Sequence, residues 1–504
     1  MNARSIRLLH VAACLAALLC SPAVGQTLPL GSAARPNILY ILADDLGYGD
    51  VQCLNPGRGK IKTPHLDRLA AEGMTFTDAH SGSAVCTPTR YGLLTGRYAW
   101  RTRLQQGVLD GGNDQPLIAV DRLTVASFLK QQGYATACIG KWHLGFQSDA
   151  KPGKGAKAGG LTVGANILGG PVTRGFDHFF GCSNARTMAA LIENNRVIET
   201  IEPVAMLPHL ARRATDYIRE RAEATRGGRP FFLYLPLTSP HTPIVPAAQW
   251  NGRSGLNAYA DFVMQTDAVV GEVLAALERE GLAANTLVVF TADNGCSPAA
   301  KTGDLERAGH FASGPFRGYK ADIWEGGHRV PFFARWPGKV KAGSQSAQLI
   351  CHSDLLATCA ELLGAKLPAT AGEDSVSILP ALLDTDKAPL HEAVVHHSIN
   401  GSFAIRQGKW KLALCAESGG WSVPTPGSKA AQGLPAVQLY DLDSDKAESK
   451  NLQAERPEEV ARLTKLLEQI VANGRSTPGA KQANDVEIRI RKQTAPSAKE
   501  RPKK

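Results

Sequence analysis

Three apolar runs, each followed closely by polar residues, constrain the fold of this chain more than any other feature. The runs and the polar residues after them are 38–42 with Asp44 and Asp45, 231–235 with His241, and 287–290 with Asp293 and Asn294. Continuous apolar runs of this length are typical of strands buried on both faces of a sheet. A segment with helical spacing of apolar residues, 258–280, lies between the last two runs. Strands that alternate with helices predict an α/β fold, with a large, mostly parallel mixed sheet flanked by helices.

The chain changes character after residue 388. Short apolar runs at 403–405 and 437–440 predict strands, and residues 457–472 predict a helix. We therefore expect an α/β domain over residues 26–388 and a smaller C-terminal α+β subdomain, an antiparallel sheet plus a helix, over residues 389–480. Residues 481–504 are predicted to form a basic disordered tail. His396, His397 and Ser398 are interpreted as a strand edge, with a substrate rim as the alternative.

The first 25 residues predict export. Arg4 and Arg7 precede an apolar run over residues 8–19, and small residues follow at 21–25. This is the pattern of a signal peptide, and the run is too short to span a bilayer. We expect cleavage near Gly25 and a periplasmic or extracellular protein without stable membrane insertion. Lipid modification of Cys20 is the alternative, which the preceding leucine disfavours.

Charge and cysteine content exclude some classes of function. The formal net charge is +10, but much of the excess lies at the two ends, since segment 489–504 holds seven Lys or Arg against one Glu. No basic patch interleaved with aromatic residues occurs between the ends, so we expect no nucleic-acid partner. Of the ten cysteines, two belong to the signal peptide, and no disulfide is predicted among the rest. Residues 151–170, rich in Gly, Lys and Ala, predict a flexible insertion.

The stretch 86–96 combines Cys86, Pro88, Arg90, Thr95 and Gly96 at fixed offsets. Its Leu-Leu pair and final glycine predict a short helix that begins at the cysteine, where the backbone amides favour an anionic group. This segment resembles the signature of the sulfatase family, in which the cysteine is oxidised to formylglycine. Residues 133–145 resemble the second signature of that family. The resemblance covers about residues 37–452 and indicates a formylglycine-dependent type I sulfatase, arylsulfatase-like, with an alkaline-phosphatase-like fold.

The polar residues at two strand ends predict a metal site. Asp44, Asp45, Asp293 and Asn294 offer only oxygen ligands, which suit Ca²⁺ or, less readily, Mg²⁺, and not zinc. The resemblance also implies one Ca²⁺, held by residues at these positions together with the residue made from Cys86.

The resemblance implies roles for further residues. Lys141 and Lys320 would surround the sulfate with positive charge, and His241 or Lys320 would protonate the leaving alkoxide. Arg90 and Lys141 would hold the hydrated aldehyde, one hydroxyl of which attacks sulfur. His143 would remove a proton from the second hydroxyl to release sulfate and regenerate the aldehyde. Ser183 is a further candidate for contact with the sulfate.

We therefore predict a hydrolase of sulfate monoesters whose leading candidate substrate is a sulfated carbohydrate. We expect it to cleave small aryl sulfates as well. During biosynthesis it would depend on a formylglycine-generating enzyme as a partner. One alternative is a formylglycine-dependent phosphonate or phosphate monoesterase. A two-zinc phosphatase is disfavoured, because it needs further Asp and His ligands. The other alternative is a non-catalytic protein that binds sulfated glycans, which the complete set of candidate catalytic residues disfavours.

Overall fold

A computed structural model describes residues 35–111, 114–149 and 161–492. The predicted signal peptide, half of the predicted insertion at 151–170 and the end of the basic tail lie outside these residues.

Eighteen strands and ten α-helices form the described chain. The strands are β1 (Asn37–Ala43), β2 (Met74–Phe76), β3 (Ala79–His80), β4 (Ala135–Lys141), β5 (Gln147–Ser148), β6 (Ile167–Leu168), β7 (His178–Cys182), β8 (Ala190–Glu193), β9 (Arg196–Thr200), β10 (Phe231–Pro236), β11 (Thr286–Ala292), β12 (Phe332–Arg335), β13 (Ser344–Ser346), β14 (Ile350–Cys351), β15 (Val394–His397), β16 (Phe403–Gln407), β17 (Trp410–Ala413) and β18 (Gln438–Asp441). The helices are α1 (Pro64–Glu72), α2 (Cys86–Thr95), α3 (Val125–Gln131), α4 (Pro203–Arg226), α5 (Ala258–Arg279), α6 (Thr302–Arg307), α7 (Glu325–His328), α8 (Leu355–Leu362), α9 (Leu379–Leu382) and α10 (Pro457–Ala472).

A ten-stranded mixed sheet dominates the fold, with the order β13-β2-β12-β11-β1-β10-β4-β7-β8-β9. Its centre, from β11 to β7, is parallel throughout, and antiparallel pairs flank the centre on both sides. The predicted α/β class with a mostly parallel mixed sheet is therefore confirmed. Because the central strands are parallel, the polar residues that follow them all lie at one edge of the sheet.

The two faces of the sheet carry separate hydrophobic cores. Alternate residues of β1 point to opposite faces, as the strand period of two requires: Tyr40 belongs to one core and Ile41 to the other. Helices α2, α3 and α8 cover the first face, and α1, α4 and α5 cover the second. Burial on both faces explains why β1, β10 and β11 are continuous apolar runs.

Local signals set the helix ends. Helix α1 begins with Pro64 at its first position, where a missing N–H costs nothing, and it ends before Gly73. Helix α2 begins at Cys86 and ends at Gly96, which adopts the left-handed conformation with φ of 63°. The helix predicted at 258–280 corresponds to α5, which ends one residue earlier, at Arg279. Among the described helices, none is long and apolar enough to cross a membrane.

The C-terminal part forms a four-stranded antiparallel sheet, β15-β16-β17-β18, against which α10 packs through Leu463, Leu467 and Ile470. This confirms the smaller C-terminal sheet and helix; the domain limits 26–388 and 389–480 stay predictions. His396 and His397 lie in the edge strand β15, as interpreted.

The first residues of the predicted disordered tail make specific contacts. Asp485 pairs with buried Arg97 at 3.0 Å, and the Asn484 amide oxygen accepts from Arg101 at 2.9 Å. The ordered chain therefore extends past residue 480, because two buried guanidinium groups need these acceptors. Residues 493–504 lie outside the described chain.

Candidate active site

Residues after β1 and β11 meet at the edge of the sheet. The Asp293 amide donates to the Ala43 carbonyl at 3.0 Å, and the Asp45 amide donates to Asp293 Oδ1 at 3.1 Å. Asp45 has a positive φ of 65°, which aspartate tolerates better than most residues. This turn brings the carboxyl groups of Asp44, Asp45 and Asp293 together, within 4.8 Å of one another, in a buried place.

Cys86 is the first residue of α2 and is buried. The sequence predicts that the helix amides favour an anion there. In the structure, burial raises the pKa of the Cys86 thiol above its usual value, and the nearby ammonium groups of Lys141 and Lys320 offset this only in part. The unmodified thiol is therefore protonated at neutral pH and is a poor nucleophile.

Two lysines face the carboxylates at hydrogen-bond distance. Lys141 Nζ, at the end of β4, lies 2.6 Å from Asp44 Oδ2, and Lys320 Nζ lies 2.5 Å from Asp45 Oδ1. Burial raises the pKa of both carboxyl groups, but the adjacent cations more than offset it, so that both pKa values are below normal. Because Asp45 stabilises its charge, Lys320 has a pKa above its usual value despite burial. Lys320 therefore carries positive charge into the site, and Lys141 forms an ion pair with Asp44.

Arg90 is fully buried and faces the carboxylates. It donates from Nη2 to Asp293 Oδ2 at 2.7 Å and from Nη1 to the Lys141 carbonyl at 3.0 Å. Its side chain does not line the pocket above Cys86. These contacts indicate that Arg90 positions Asp293 and the end of β4; its predicted direct contact with the nucleophile stays a prediction.

His143 has the geometry of a general base. Its Nε2 lies 2.8 Å from the Leu109 carbonyl, so this nitrogen carries the proton, and buried Nδ1 has no hydrogen-bond partner. Burial lowers its pKa well below 6.5, and the neighbouring Lys141 and Arg90 lower it further. The ring is therefore neutral at neutral pH, with a free lone pair on Nδ1. The φ of His143 is 54°, in the left-handed region that residues other than glycine seldom adopt. Such backbone conformations are concentrated at functional sites.

His241 follows β10 and lies near Asp45, with its Nε2 3.6 Å from Asp45 Oδ2. Its Nδ1 lies 2.5 Å from the carbonyl of Thr242, which fixes the ring and directs Nε2 toward the carboxylates. Burial lowers the pKa of His241, and the charge of Asp45 opposes this effect. Because Nδ1 donates to the Thr242 carbonyl, Nε2 of the neutral ring is an acceptor, and His241 can donate a proton from Nε2 only when the ring is protonated.

The oxygen donors fit a calcium ion. Asp44 Oδ1 and Asn294 Oδ1 are buried and have no hydrogen-bond partner, which leaves acceptors directed into the same place. Such acceptors cost free energy unless a donor or a cation satisfies them. Three carboxylates and one amide form the hard oxygen set that Ca²⁺ prefers. Asp44, Cys86 and His241 also bring one donor atom each within 4.8 Å of one another, which places Cys86 beside the carboxylates.

Five of the predicted residues line one pocket of about 450 Å³, a volume that includes the part open to solvent. Its lining includes Cys86, Lys141, His143, His241 and Lys320, and also Val85, Val108, Leu109, Asp110, Asn184, Ala185, Ile399 and Trp421. The sequence analysis missed this second group, because these loop residues match no motif.

Ser183 does not line this pocket. Its hydroxyl donates to the carbonyl of Gly111, and the next residue, Asn184, lines the pocket instead. Asn184 donates to the Asp110 carbonyl at 2.6 Å. The predicted contact of Ser183 with sulfate stays a prediction, and the structure adds Asn184 as a candidate.

Comparison with known proteins identifies the family. The sulfatase family profile matches residues 36–365. An N-acetylgalactosamine-6-O-sulfatase of Bacteroides thetaiotaomicron is 34% identical over 497 residues, covering 87% of this chain and 94% of that protein. Human arylsulfatase A is 36% identical over 458 residues, covering 84% of each chain. A solved structure from work on the metabolism of multiple glycosaminoglycans by the same bacterium is 30% identical, with a TM-score of 0.76, and the match covers 87% of this chain and 99% of that one. The chain belongs to the sulfatase family and is a sulfatase, an enzyme that hydrolyses sulfate esters.

Proposed function

We propose that this chain hydrolyses a sulfate monoester carried by a carbohydrate, with a nucleophile made from Cys86 and with Ca²⁺ bound by the adjacent oxygen donors. The observation that carries the proposal is the single pocket that brings Cys86 together with two lysines and two histidines. The similarity to an N-acetylgalactosamine-6-O-sulfatase supports a sulfated sugar as the substrate.

The residue made from Cys86 and the bound Ca²⁺ would have separate roles in the reaction. Formylglycine made from Cys86 would supply the hydroxyl that attacks sulfur, which the buried thiol cannot do. Ca²⁺, held by Asp44, Asp45, Asp293, Asn294 and the residue at position 86, would add positive charge beside the sulfuryl oxygens.

The lysines and histidines of this chain bind the sulfate and move protons. Lys141 and Lys320 hold the sulfuryl oxygens, and each ammonium group also forms an ion pair with a neighbouring aspartate. His143 Nδ1 accepts a proton from the residue at position 86, because its lone pair is free. Lys320, or His241 in its protonated form, gives a proton to the leaving alkoxide. Asn184 lines the same pocket, and a contact of Ser183 with sulfate would require its hydroxyl to leave the Gly111 carbonyl.

The proposal also includes export with removal of a signal peptide near Gly25, and conversion of Cys86 by a formylglycine-generating enzyme. We expect this conversion to precede folding around position 86. A buried Cys86 would be inaccessible to such an enzyme after folding.

The test is sulfate release by protein co-expressed with a formylglycine-generating enzyme. The mass of the tryptic peptide that contains position 86 first establishes the converted fraction. We expect the converted protein to release sulfate from N-acetylgalactosamine 6-sulfate and from an aryl sulfate, and the Cys86→Ala variant to release none. Converted protein that preferred the matched aryl phosphate or phosphonate would support the monoesterase alternative. Converted protein that bound the sulfated sugar without turnover would support the binding alternative.

A further inference from the structure

The mouth of the pocket is formed in part by residues from the C-terminal sheet region. Ile399 follows β15, and Trp421 lies in the loop between β17 and β18. Trp421 is 45% exposed, whereas the other six tryptophans of the chain are buried or half-buried. An exposed indole at the mouth of a catalytic pocket leaves a large apolar surface available to a substrate.

The loop that carries Trp421 is anchored to the segment that carries Lys320. The buried carboxylate of Asp322 accepts hydrogen bonds from the Trp421 amide at 2.9 Å and from the Ser422 amide at 3.0 Å, and also from the Ser422 hydroxyl. At Gly420, a Cβ atom would lie 2.4 Å from the Ala321 carbonyl oxygen, so only glycine permits this approach. The backbone that carries the indole therefore has a fixed position relative to Lys320, which lies two residues before Asp322.

Ile399 is fixed in the same way. Its amide donates to the Ala321 carbonyl at 3.0 Å, and the Asn400 amide donates to the Gly419 carbonyl at 3.3 Å. The two C-terminal segments thus bind each other and the segment after Lys320. Little conformational entropy is lost when a substrate contacts such a preformed surface.

The other side chains of the pocket indicate what the indole contacts. Asp110 is exposed and lines the same pocket, where its carboxylate can accept hydrogen bonds from hydroxyl groups. A flat apolar leaving group such as a sterol would displace water from this carboxylate without offering a hydrogen-bond donor in its place. The lost hydrogen bonds would cost binding free energy. A ring with a second anionic group would be repelled by it. A pyranose has an apolar C–H face for the indole and hydroxyl donors for the carboxylate.

We propose that Trp421, supported by Ile399 and Asp110, forms a subsite that stacks on the pyranose ring carrying the sulfate, and that this ring is otherwise uncharged. The inference rests on the proposed function, since it assigns the leaving group of the same reaction. Trp421 is then a specificity residue that the C-terminal sheet adds to the catalytic set of the large sheet.

The experiment compares Trp421→Ala, Trp421→Phe and the matched control Val423→Ala. Val423 lies in the same loop and is 76% exposed, but it does not line the pocket. With N-acetylgalactosamine 6-sulfate we expect kcat/KM of Trp421→Ala to fall about 10- to 100-fold, mostly through KM, and that of Trp421→Phe to fall less. Inhibition by inorganic sulfate, which lacks a leaving group, should be unchanged in all three variants. The Asp110→Asn variant should raise KM for the same sugar.

Three results would overturn the subsite. Turnover of the sulfated sugar by Trp421→Ala at the wild-type KM would show that the indole does not contact the ring. Equal weakening of inorganic sulfate binding would show that Trp421 only supports the pocket. A greater loss of turnover for a sterol sulfate than for the sugar would assign the indole to a different leaving group.

A binding assay separates this inference from the proposed function. In the Cys86→Ala protein, the sulfated sugar should quench the fluorescence of the exposed indole, and the Cys86→Ala/Trp421→Phe protein should lack this quenching. If converted wild-type enzyme hydrolyses no sulfate ester but the quenching occurs, the proposed function fails and the subsite stands. If turnover occurs without quenching, the subsite fails alone.

Discussion

Replacement of His143 by glutamine tests the assignment of the general base. Glutamine has a similar length and can still donate to the Leu109 carbonyl, which lies 2.8 Å from His143 Nε2, but it offers no basic nitrogen in place of Nδ1. Loss of a positioned general base lowers kcat by roughly 10²- to 10⁴-fold, which corresponds to about 3–5 kcal/mol in the barrier. We expect a loss within this range in steady-state hydrolysis of an aryl sulfate by fully converted protein.

The pH dependence of the wild-type enzyme provides a second measure. His143 acts as a base only when it is neutral, so activity falls when the pH drops below its pKa in the folded protein. Burial and the nearby Lys141 and Arg90 place that pKa well below 6.5. The acid limb of kcat should therefore have its midpoint below pH 6.5, and the His143→Gln variant should lack this limb.

The control is His352→Gln. His352 is also buried with an unpartnered Nδ1, but its Nε2 lies 3.0 Å from the Thr291 hydroxyl and it does not line the Cys86 pocket. This variant should lose thermal stability and keep its kcat. The reasoning is refuted if His143→Gln retains kcat within about tenfold of wild type, because a general base supplies more than that. An acid limb centred above pH 6.5 would also refute it.

Three further predictions concern stability. Arg90→Ala leaves the Asp293 carboxylate buried without its partner and should lower the free energy of unfolding by roughly 3–5 kcal/mol, measured by denaturant titration; a loss below about 1 kcal/mol would contradict this. Ca²⁺ at about 100 times its Kd should stabilise the wild type by about 2.7 kcal/mol in thermal unfolding. Asn294→Ala should lose most of that gain, and an equal gain in the variant would argue against Asn294 as a ligand. Burial lowers the pKa of His396 in the folded protein well below 6.5. The unfolded chain therefore binds more protons at His396 than the folded chain does, so this histidine's contribution to the free energy of unfolding is present above pH 6.5 and is lost as the pH falls below it. His396→Leu should make this loss less steep by about 1.4 kcal/mol per pH unit, and an unchanged slope would contradict the argument.

Much of the fold follows from local sequence. Apolar runs such as 287–290 form strands buried on both faces, and the helix that begins at Cys86 and ends at Gly96 has its boundaries set by local chemistry. The sequence also indicates the parallel arrangement, and with it the edge where Asp44 and Asp293 meet. Fixed motif spacing carries the family resemblance, because the chemistry requires those residue types at those offsets.

The contacts within the site depend on residues that are distant in sequence. Motifs do not show that Arg90 faces Asp293 and not the pocket, that the Ser183 hydroxyl is held by the Gly111 carbonyl, or that the Asp485 side chain reaches Arg97. Burial of Cys86 similarly outweighs the helix field that the sequence predicts. These outcomes depend on desolvation and on partners from other elements, which only packing defines.

Local sequence therefore predicts the α/β class, the position of Cys86 and most of the charged groups around it. Packing of distant segments shows which nitrogen of His143 is free, and it shows that Trp421, from the C-terminal sheet region, lines the pocket. Periodicity and motif spacing act over a few residues, whereas burial, hydrogen-bond pairing and pocket shape arise when segments hundreds of residues apart pack together.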